Sequence, residues 1–195
     1  MKLINIGCGY PRPASPWINL DSLHSVLQVG TPERANLDAE PNYVDHDLRT
    51  RMPFGQNEFN GALCSHVLEH FDCVDAARIC QDARRILKPG SPLVVSVPDA
   101  DFFLKVYDKD TPENAESLFG HPIGDPQFKR YFDWALWFFE HRQILTESYL
   151  RCILLRAGFD SISRLSEYPS GEVMAEIRRV MNRPKFSLEL VAVKS

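Results

Sequence analysis

The sequence predicts an α/β fold, a three-layer sandwich in which helices cover both faces of a mostly parallel sheet. The apolar run 3–6 ends in the turn Gly7-Cys8-Gly9, and a second apolar run, 17–20, ends in Asp21. Five further apolar runs alternate with helical patterns along the rest of the chain. A strand that ends in a Gly-x-Gly turn, followed by a strand that ends in an acid, is typical of the leading edge of a nucleotide-binding sheet.

Length and composition limit the function. The 195 residues are enough for one domain with a substantial core. A net charge of -4 argues against nucleic acid as a partner. No uncharged apolar run approaches the length of a membrane span, and a strand that begins by Leu3 leaves no room for a signal peptide. The five cysteines lack a C-x-x-C pair, so we expect free thiols in a cytoplasmic protein without a membrane partner.

The first four strands are predicted over residues 2–6, 17–20, 43–48 and 59–65. The fourth run carries no charge, as a central parallel strand prefers. Prolines at positions 11, 13 and 16 do not support a full helix between the first two strands, so this crossover is expected to be abbreviated. Residues 22–42 are weakly patterned, and 26–30 fit either a short strand or a turn.

The clearest helix is predicted over residues 75–87, where apolar positions recur at helical spacing until Lys88-Pro89-Gly90 ends the pattern. A buried, β-branched fifth strand follows at 92–97. The remaining elements are a helix over 146–157, a strand over 159–165, a helix over 172–181 and an alternating strand over 186–193.

Six motifs, in order along the chain, resemble those of the class I S-adenosylmethionine-dependent methyltransferases. They are Asn5-Ile6-Gly7-Cys8-Gly9, Asn19-Leu20-Asp21, His46-Asp47-Leu48 with the following Met52-Pro53-Phe54, Ser65-His66-Val67-Leu68-Glu69-His70, Arg85-Ile86-Leu87-Lys88-Pro89-Gly90 and Ala157-Gly158-Phe159. The likeness is greatest to a small group with an abbreviated first crossover. The resemblance implies a Rossmann-like sheet of seven strands with an antiparallel last strand. It also implies the cofactor S-adenosylmethionine and a small-molecule methyl acceptor.

The resemblance implies a set of cofactor-binding residues. Backbone groups of Gly7 to Gly9 would hold the methionyl part, Asp21 would accept hydrogen bonds from the ribose hydroxyls, and Asp47 from the adenine amino group. A turn or cap role is the alternative for both acids. The family usually has an acid in place of Asn5 and often a glycine in place of Pro11, so we expect an altered pocket or modest affinity. The complete set is Asn5, Gly7, Cys8, Gly9, Asp21, Asp47, Leu48 and Ser65.

Three histidines are candidates for a general base in methyl transfer. His66 and His70 follow the fourth strand, which places them near the crevice at the carboxyl ends of the strands, and His141 follows the aromatic-rich segment. A histidine titrates in the range that a base requires. The alternative for each is a structural or solvent-exposed histidine, and Glu69 could cap or pair locally.

The run 66–70 also fits the H-x-x-E-H pattern of a zinc protease. That chemistry requires the pattern inside a helix and a further ligand, whereas here the pattern directly follows a buried strand. Some O-methyltransferases bind a divalent ion through a similar stretch with Glu in the first position, where this chain has His66. On this basis the sequence predicts no metal ligand.

Residues 100–140 carry eleven of the 21 aromatic side chains. We interpret this segment as a lid or insertion over the acceptor, within a single domain of residues 1–195. The alternatives are a hydrophobic cover that completes the core and a contact surface in a homodimer. An aromatic wall excludes water from the site in each case.

Two other functions stay open at this point. A non-catalytic nucleotide-binding module is suggested by Asn5, Pro11 and the short crossover. A nicotinamide-dependent oxidoreductase would share the leading edge of the sheet, but the motifs after the fourth strand and before the fifth favour a methyltransferase.

Overall fold

A seven-stranded sheet organises the molecule. The computed structural model describes residues 1–9, 12–22, 32–120, 122–181 and 184–195, apart from three side chains at positions 33, 34 and 138. The strands are β1 (Leu3–Ile6), β2 (Trp17–Asp21), β3 (Tyr43–Asp45), β4 (Gly61–Ser65), β5 (Pro92–Pro98), β6 (Ser161–Arg164) and β7 (Ser187–Val193). Their spatial order is β3-β2-β1-β4-β5-β7-β6. All pairings from β3 to β5 are parallel, and β7 is antiparallel to both of its neighbours, which confirms the predicted sheet.

Seven helices occur among the described residues. They are α1 (Pro32–Asp38), α2 (Cys73–Ile86), α3 (Ala100–Val106), α4 (Ala115–Phe119), α5 (Tyr131–Phe138), α6 (Glu147–Arg156) and α7 (Glu172–Val180). Short 3-10 turns occur at Leu68–His70 and Tyr107–Lys109. None of the described helices combines the length and apolarity needed to span a membrane. All five cysteines are free, as expected.

The two faces of the sheet bury separate hydrophobic clusters, which gives the three predicted layers. Because side chains alternate along a strand, Ile4 joins the cluster beneath α2 and α6, whereas Leu3 joins the cluster beneath α7. Ile79 of α2 and Ile177 of α7 are fully buried in their respective clusters. These faces account for the helical spacing seen in the sequence.

Several element boundaries differ from the predicted ones. Helix α2 begins earlier than predicted because the Asp72 carboxylate accepts hydrogen bonds from the N–H groups of Val74 and Asp75 and caps the helix. Strand β3 ends at Asp45, which is where the predicted strand over 43–48 runs into its loop. Helix α1 was not predicted within the weakly patterned stretch. The strand or turn proposed for 26–30 lies outside the described residues.

Side-chain hydrogen bonds hold the crossover between β1 and β2. Its described residues, 7–9 and 12–16, contain no helix, as predicted. The side-chain amides of Asn19 and Asn42 both donate to the Pro13 carbonyl, at 2.9 and 2.8 Å. The Pro13 carbonyl is therefore attached to β2 and to the residue before β3.

An ion pair secures the beginning of the same crossover. The Arg12 guanidinium binds both carboxylate oxygens of Glu40, at 2.6 and 2.7 Å. It donates a further hydrogen bond to the carbonyl of Gly9, at 3.1 Å. Such a bidentate arrangement fixes direction as well as distance. Arg12 thereby holds the glycine turn against the segment that follows α1.

Candidate functional site

The predicted cofactor edge lies where β1 and β2 end side by side. The N–H groups of Gly7 and Cys8 donate to the Leu20 carbonyl, at 2.8 and 3.3 Å. The N–H of Gly9 donates to one carboxylate oxygen of Asp21 at 2.8 Å, and the N–H of Ser22 donates to the other at 2.7 Å. The acid is therefore fixed beside the glycine turn. Each carboxylate oxygen has lone pairs left to accept further hydrogen bonds.

The two glycines of this turn have different roles. Both have positive φ angles, +67° at Gly7 and +47° at Gly9. A Cβ on Gly7 would lie 2.4 Å from a methyl carbon of Val67, so the turn packs tightly there. A Cβ on Gly9 would meet nothing within 4 Å among the residues that the structure describes. The space beside Gly9 allows a ligand to approach the backbone next to Asp21, which fits a nucleoside cofactor.

The other predicted cofactor residues are spread along the same edge of the sheet. Asn5, Cys8 and Leu48 are buried, so their side chains belong to the interior beside the edge. Burial raises the pKa of the Cys8 thiol well above its usual range, which keeps it neutral. Ser65 ends β4, and its hydroxyl has no hydrogen-bond partner within the part of the chain that the structure describes.

Asp47 lies in the loop after β3 and is engaged by its neighbour. Its carboxylate accepts hydrogen bonds from the backbone N–H and the Nε of Arg49, both at 2.9 Å. This arginine lowers the pKa of the Asp47 carboxyl. The side chain is 43 % exposed, so it remains accessible to a ligand. Asp47 therefore lies at the sheet edge with its carboxylate already paired with the Arg49 guanidinium.

Helix α2 fixes the end of this loop. The Arg85 guanidinium donates to the carbonyls of Phe54 and Met52, at 2.6 and 2.9 Å. Asp82 pairs with Arg85 and also accepts the Met52 N–H. Both charged side chains are largely buried. Helix α2 therefore anchors residues 52–54, at the end of the loop that resembles an adenine-binding loop.

The three predicted histidines lie close together beyond β4 and β5. His66 directly follows β4 with a left-handed φ of +55°, which is uncommon for a residue with a side chain. Its Nε2 lies 2.9 Å from the Ser187 hydroxyl, and its Nδ1 lies 3.3 Å from a carboxylate oxygen of Glu69. The H-x-x-E-H run therefore spans a strand end and a 3-10 turn, outside any α-helix.

His70 and His141 contact each other edge to face, with ring centroids 4.9 Å apart. The backbone N–H groups of Arg142 and Gln143 donate to the Glu69 carbonyl, at 2.8 and 3.3 Å, which holds the two segments together. Burial lowers the pKa of His141 to about 4, so its ring is neutral at physiological pH. The potential ligand atoms of Glu69, His70 and His141 all lie within 4.8 Å of one another.

These polar groups form one end of a cavity of about 440 Å³. Pro98, at the end of β5, also lines it, so the cavity opens at the carboxyl edge of the sheet. Its other walls combine aromatic rings with smaller, mostly apolar side chains. The rings are those of Phe103, Tyr131, Phe132, Trp134, Phe139 and Phe186. The size and the apolar walls suit a small organic molecule.

The aromatic segment also forms a hydrophobic cluster of its own. Phe119 stacks on Tyr131 with centroids 4.3 Å apart, and on Phe103 with centroids 5.4 Å apart. Phe186, which precedes β7, joins the same cluster. The rings therefore serve both a packed cover and the cavity wall. Sequence reasoning found the segment and the histidines but not the place of Glu69 among them.

Comparisons with known proteins give a consistent result. The family model described as a methyltransferase domain matches residues 2–164. An S-adenosylmethionine-dependent methyltransferase from Thermotoga maritima is 19 % identical, with a TM-score of 0.57 over 100 % of this chain and 82 % of that chain. One from Mesorhizobium loti is 20 % identical, with a TM-score of 0.55 over 99 % and 90 % of the chains. At such identities the likeness supports the fold. No curated protein matches the chain.

Proposed function

We propose a small, largely apolar molecule, bound in the aromatic cavity, as the methyl acceptor of this chain, which belongs to the methyltransferase domain family and uses S-adenosylmethionine. The cavity itself carries this proposal. It lies at the edge of the sheet where cofactors bind in open α/β folds, and the polar groups of Glu69, His70 and His141 lie close together in its lining. Family membership argues against the two alternatives, a non-catalytic module and a nicotinamide-dependent oxidoreductase.

The residues at the leading edge fit the cofactor. We assign the ribose hydroxyls to Asp21 and the backbone approach to Gly9, where the open space lies. The adenine amino group would bind Asp47, with Leu48 as an apolar neighbour. Asn5, Gly7, Cys8 and Ser65 would complete the surroundings. When bound, S-adenosylmethionine supplies a methyl group on a positively charged sulfur, which becomes a neutral thioether once an acceptor lone pair takes the methyl.

The chain's own residues position the acceptor and exclude water. Alignment alone supplies much of the rate of such an in-line displacement. The aromatic walls would hold the apolar part of the acceptor and direct its polar end toward His70 and His141. These imidazoles would orient the nucleophilic atom and accept its proton where it has one. His66 contacts Glu69 and Ser187, so it would take part by positioning that carboxylate.

We also propose that the chain acts as a single domain with residues 100–140 as its lid. The packing of Phe119, Tyr131 and Phe103 gives this segment its own small core, so it can act as a unit. Its rings line the cavity directly, which suits a segment that covers a bound acceptor.

Calorimetry with S-adenosylmethionine tests the cofactor site. We expect one-to-one binding, and at least about a tenfold loss of affinity in Asp21→Ala, because hydrogen bonds to a charged group contribute about 1.5–3 kcal/mol. Asp160→Asn is the matched control, since Asp160 precedes β6 at the opposite edge of the sheet. The same samples, incubated with small aromatic alcohols and amines, are assayed for S-adenosylhomocysteine.

Three results would each contradict a part of the proposal. Absence of binding at millimolar cofactor would remove the cofactor site. Unchanged affinity in Asp21→Ala would refute the ribose assignment while leaving the cavity in place. Turnover of a large substrate alone, with no small acceptor accepted, would refute the proposed acceptor class.

A further inference from the structure

A buried carboxylate faces the cavity without a hydrogen-bond donor. Glu69 is 1 % exposed and lines the cavity. Neither of its carboxylate oxygens has a hydrogen-bond partner among the residues that the structure describes. The Nδ1 of His66 lies 3.3 Å from one oxygen, and this ring is a cation only when protonated. Burying an ionised carboxylate is costly unless a cation or several donors compensate it.

Two imidazoles complete a ligand set around this carboxylate. The ligand atoms of His70, His141 and Glu69 lie within 4.8 Å of one another. Ligand atoms in a tetrahedral zinc site, with bonds of about 2.0–2.1 Å, are about 3.4 Å apart. Small side-chain rotations that bring these three atoms closer together would therefore form the site. No change of fold is required.

The backbone holds the three side chains in place without using their ligand atoms. The 142–143 segment donates two hydrogen bonds to the Glu69 carbonyl. The side-chain amide of Gln143 donates to the Leu68 carbonyl at 3.0 Å. His66 has a left-handed backbone conformation, and its ring contacts both Glu69 and Ser187. The contact with Glu69 orients the carboxylate. Such outer contacts accompany the ligands in metal sites.

We propose that Glu69, His70 and His141 bind one divalent cation of the zinc class at the polar end of the cavity. Two nitrogens and one oxygen suit Zn²⁺, Co²⁺ or Fe²⁺, whereas Mg²⁺ and Ca²⁺ prefer oxygen ligands. Three protein ligands leave a coordination position open toward the cavity, as in catalytic zinc sites. No metal was predicted here from the sequence, because the pattern in 66–70 follows a strand, no further ligand was identified for it, and His66 stands where related metal-binding stretches have Glu.

A bound cation would give the polar end of the cavity a defined role in holding the methyl acceptor. An acceptor oxygen or nitrogen could occupy the open position, where the cation would lower its pKa so that an O–H or N–H proton is lost to solvent water before the methyl is taken. His70 and His141 would then be ligands in place of proton acceptors. This part of the inference rests on the proposed function. Cation binding itself does not, because it needs neither S-adenosylmethionine nor an acceptor.

Cobalt(II) and zinc titrations of the chelator-treated full-length protein test the site in the absence of S-adenosylmethionine. We expect one Co²⁺ per chain, with visible d–d bands and without the near-ultraviolet charge-transfer band of a thiolate ligand, and competition by Zn²⁺ but not by Mg²⁺. His70→Ala, His141→Ala and Glu69→Gln are each expected to lower the affinity at least tenfold. His46→Ala is the matched control, because its ring contacts Thr50 and does not belong to the cluster.

Absence of stoichiometric Co²⁺ binding, a thiolate band, or unchanged affinity in His141→Ala would each overturn the site. Circular dichroism and thermal melting verify that every variant folds, and the two histidine variants decide the matter where Glu69→Gln does not fold. Binding of S-adenosylhomocysteine is measured on the same protein. Its absence would refute the proposed function and would leave the cation result standing.

Discussion

Gly7 and Gly9 both have left-handed backbones, yet their surroundings differ. A methyl group on Gly7 would overlap Val67, whereas a methyl group on Gly9 would meet no atom within 4 Å in the described part of the chain. The first glycine thus serves the packing of the turn on the segment after β4. The second serves the approach of a ligand. The sequence shows the Gly-x-Gly pattern but not which glycine serves packing and which serves ligand approach, because the contact with Val67 joins distant parts of the chain.

Paired alanine substitutions separate these two roles. We expect Gly7→Ala to lower the free energy of unfolding by about 2–4 kcal/mol, from overpacking and an unfavourable φ. Gly9→Ala should cost only about 1 kcal/mol, from its φ alone, but should weaken cofactor binding because the added methyl occupies the ligand's space. Urea unfolding and calorimetry measure the two effects. Equal destabilisation by both substitutions would contradict this assignment.

Among single residues, the acid of the leading edge was the most predictable. Asp21 and Gly9 are close in sequence, so a short pattern places them together, and the structure joins them by a hydrogen bond. Glu69 was predicted only as a local cap or pair. Its burial depends on contacts with residues 142–143, and no pattern within its own segment encodes that proximity.

At the scale of elements, helix α5 starts without a cap from its own segment. Its N-cap residue, Arg130, makes no side-chain cap hydrogen bond. Asp110 supplies the missing acceptors from 21 residues earlier, because its buried carboxylate accepts the N–H of Tyr131 at 2.7 Å and that of Phe132 at 2.9 Å. This contact closes the aromatic segment into a loop, which lets its rings pack together.

We expect Asp110→Ala to destabilise the protein by about 1–3 kcal/mol, because two helix N–H groups lose a charged acceptor. Asp110→Asn keeps one acceptor oxygen and should cost less. Asp108→Ala is the control, since Asp108 is an exposed acid in the same turn. Thermal melting orders the three variants. A loss in Asp108→Ala as large as that in Asp110→Ala would argue against a specific cap.

Helices and strands were predicted well from the sequence where one face is buried and the other is exposed to solvent. The amphipathic helix α2 was predicted nearly to its ends, since its apolar positions face the sheet. Helix α1 is short, and Leu37 is its only residue buried in the described part of the chain, so it has no usable periodicity. Every residue of helix α5 except Asp133 is aromatic or apolar, which hides the helical period in the same way.

At the scale of the whole molecule, the aromatic cover and the sheet enclose the cavity between them. The rings of Phe103, Tyr131 and Phe132 belong both to the cover's own cluster and to the cavity wall. A change of packing in the cover therefore alters the shape of the cavity. The composition of the segment predicted an apolar cover, but not which rings would face a ligand. A homodimer contact through this segment stays a prediction.

The three tryptophans lie in three environments and can report on the cavity. Trp17 of β2 is buried in the cluster beneath α7, Trp134 lines the cavity, and Trp137 is 63 % exposed. We expect 4-nitrophenol, a small aromatic quencher, to give saturable quenching of intrinsic fluorescence through Trp134. Trp134→Phe should remove the saturable part, and Trp137→Phe should retain it. Saturable quenching that persists in Trp134→Phe would place the bound phenol elsewhere.

The crossover between β1 and β2 has a consequence for the rate of turnover. Its described residues, 7–9 and 12–16, are held by separate contacts, from Arg12 to Glu40 and from Asn19 and Asn42 to Pro13, and have no helical hydrogen-bond ladder. Separate contacts can break one at a time, whereas a helix must lose several hydrogen bonds together to open. We therefore expect S-adenosylhomocysteine, the thioether left after methyl transfer, to dissociate rapidly past this crossover. Its residence time on the enzyme should be short.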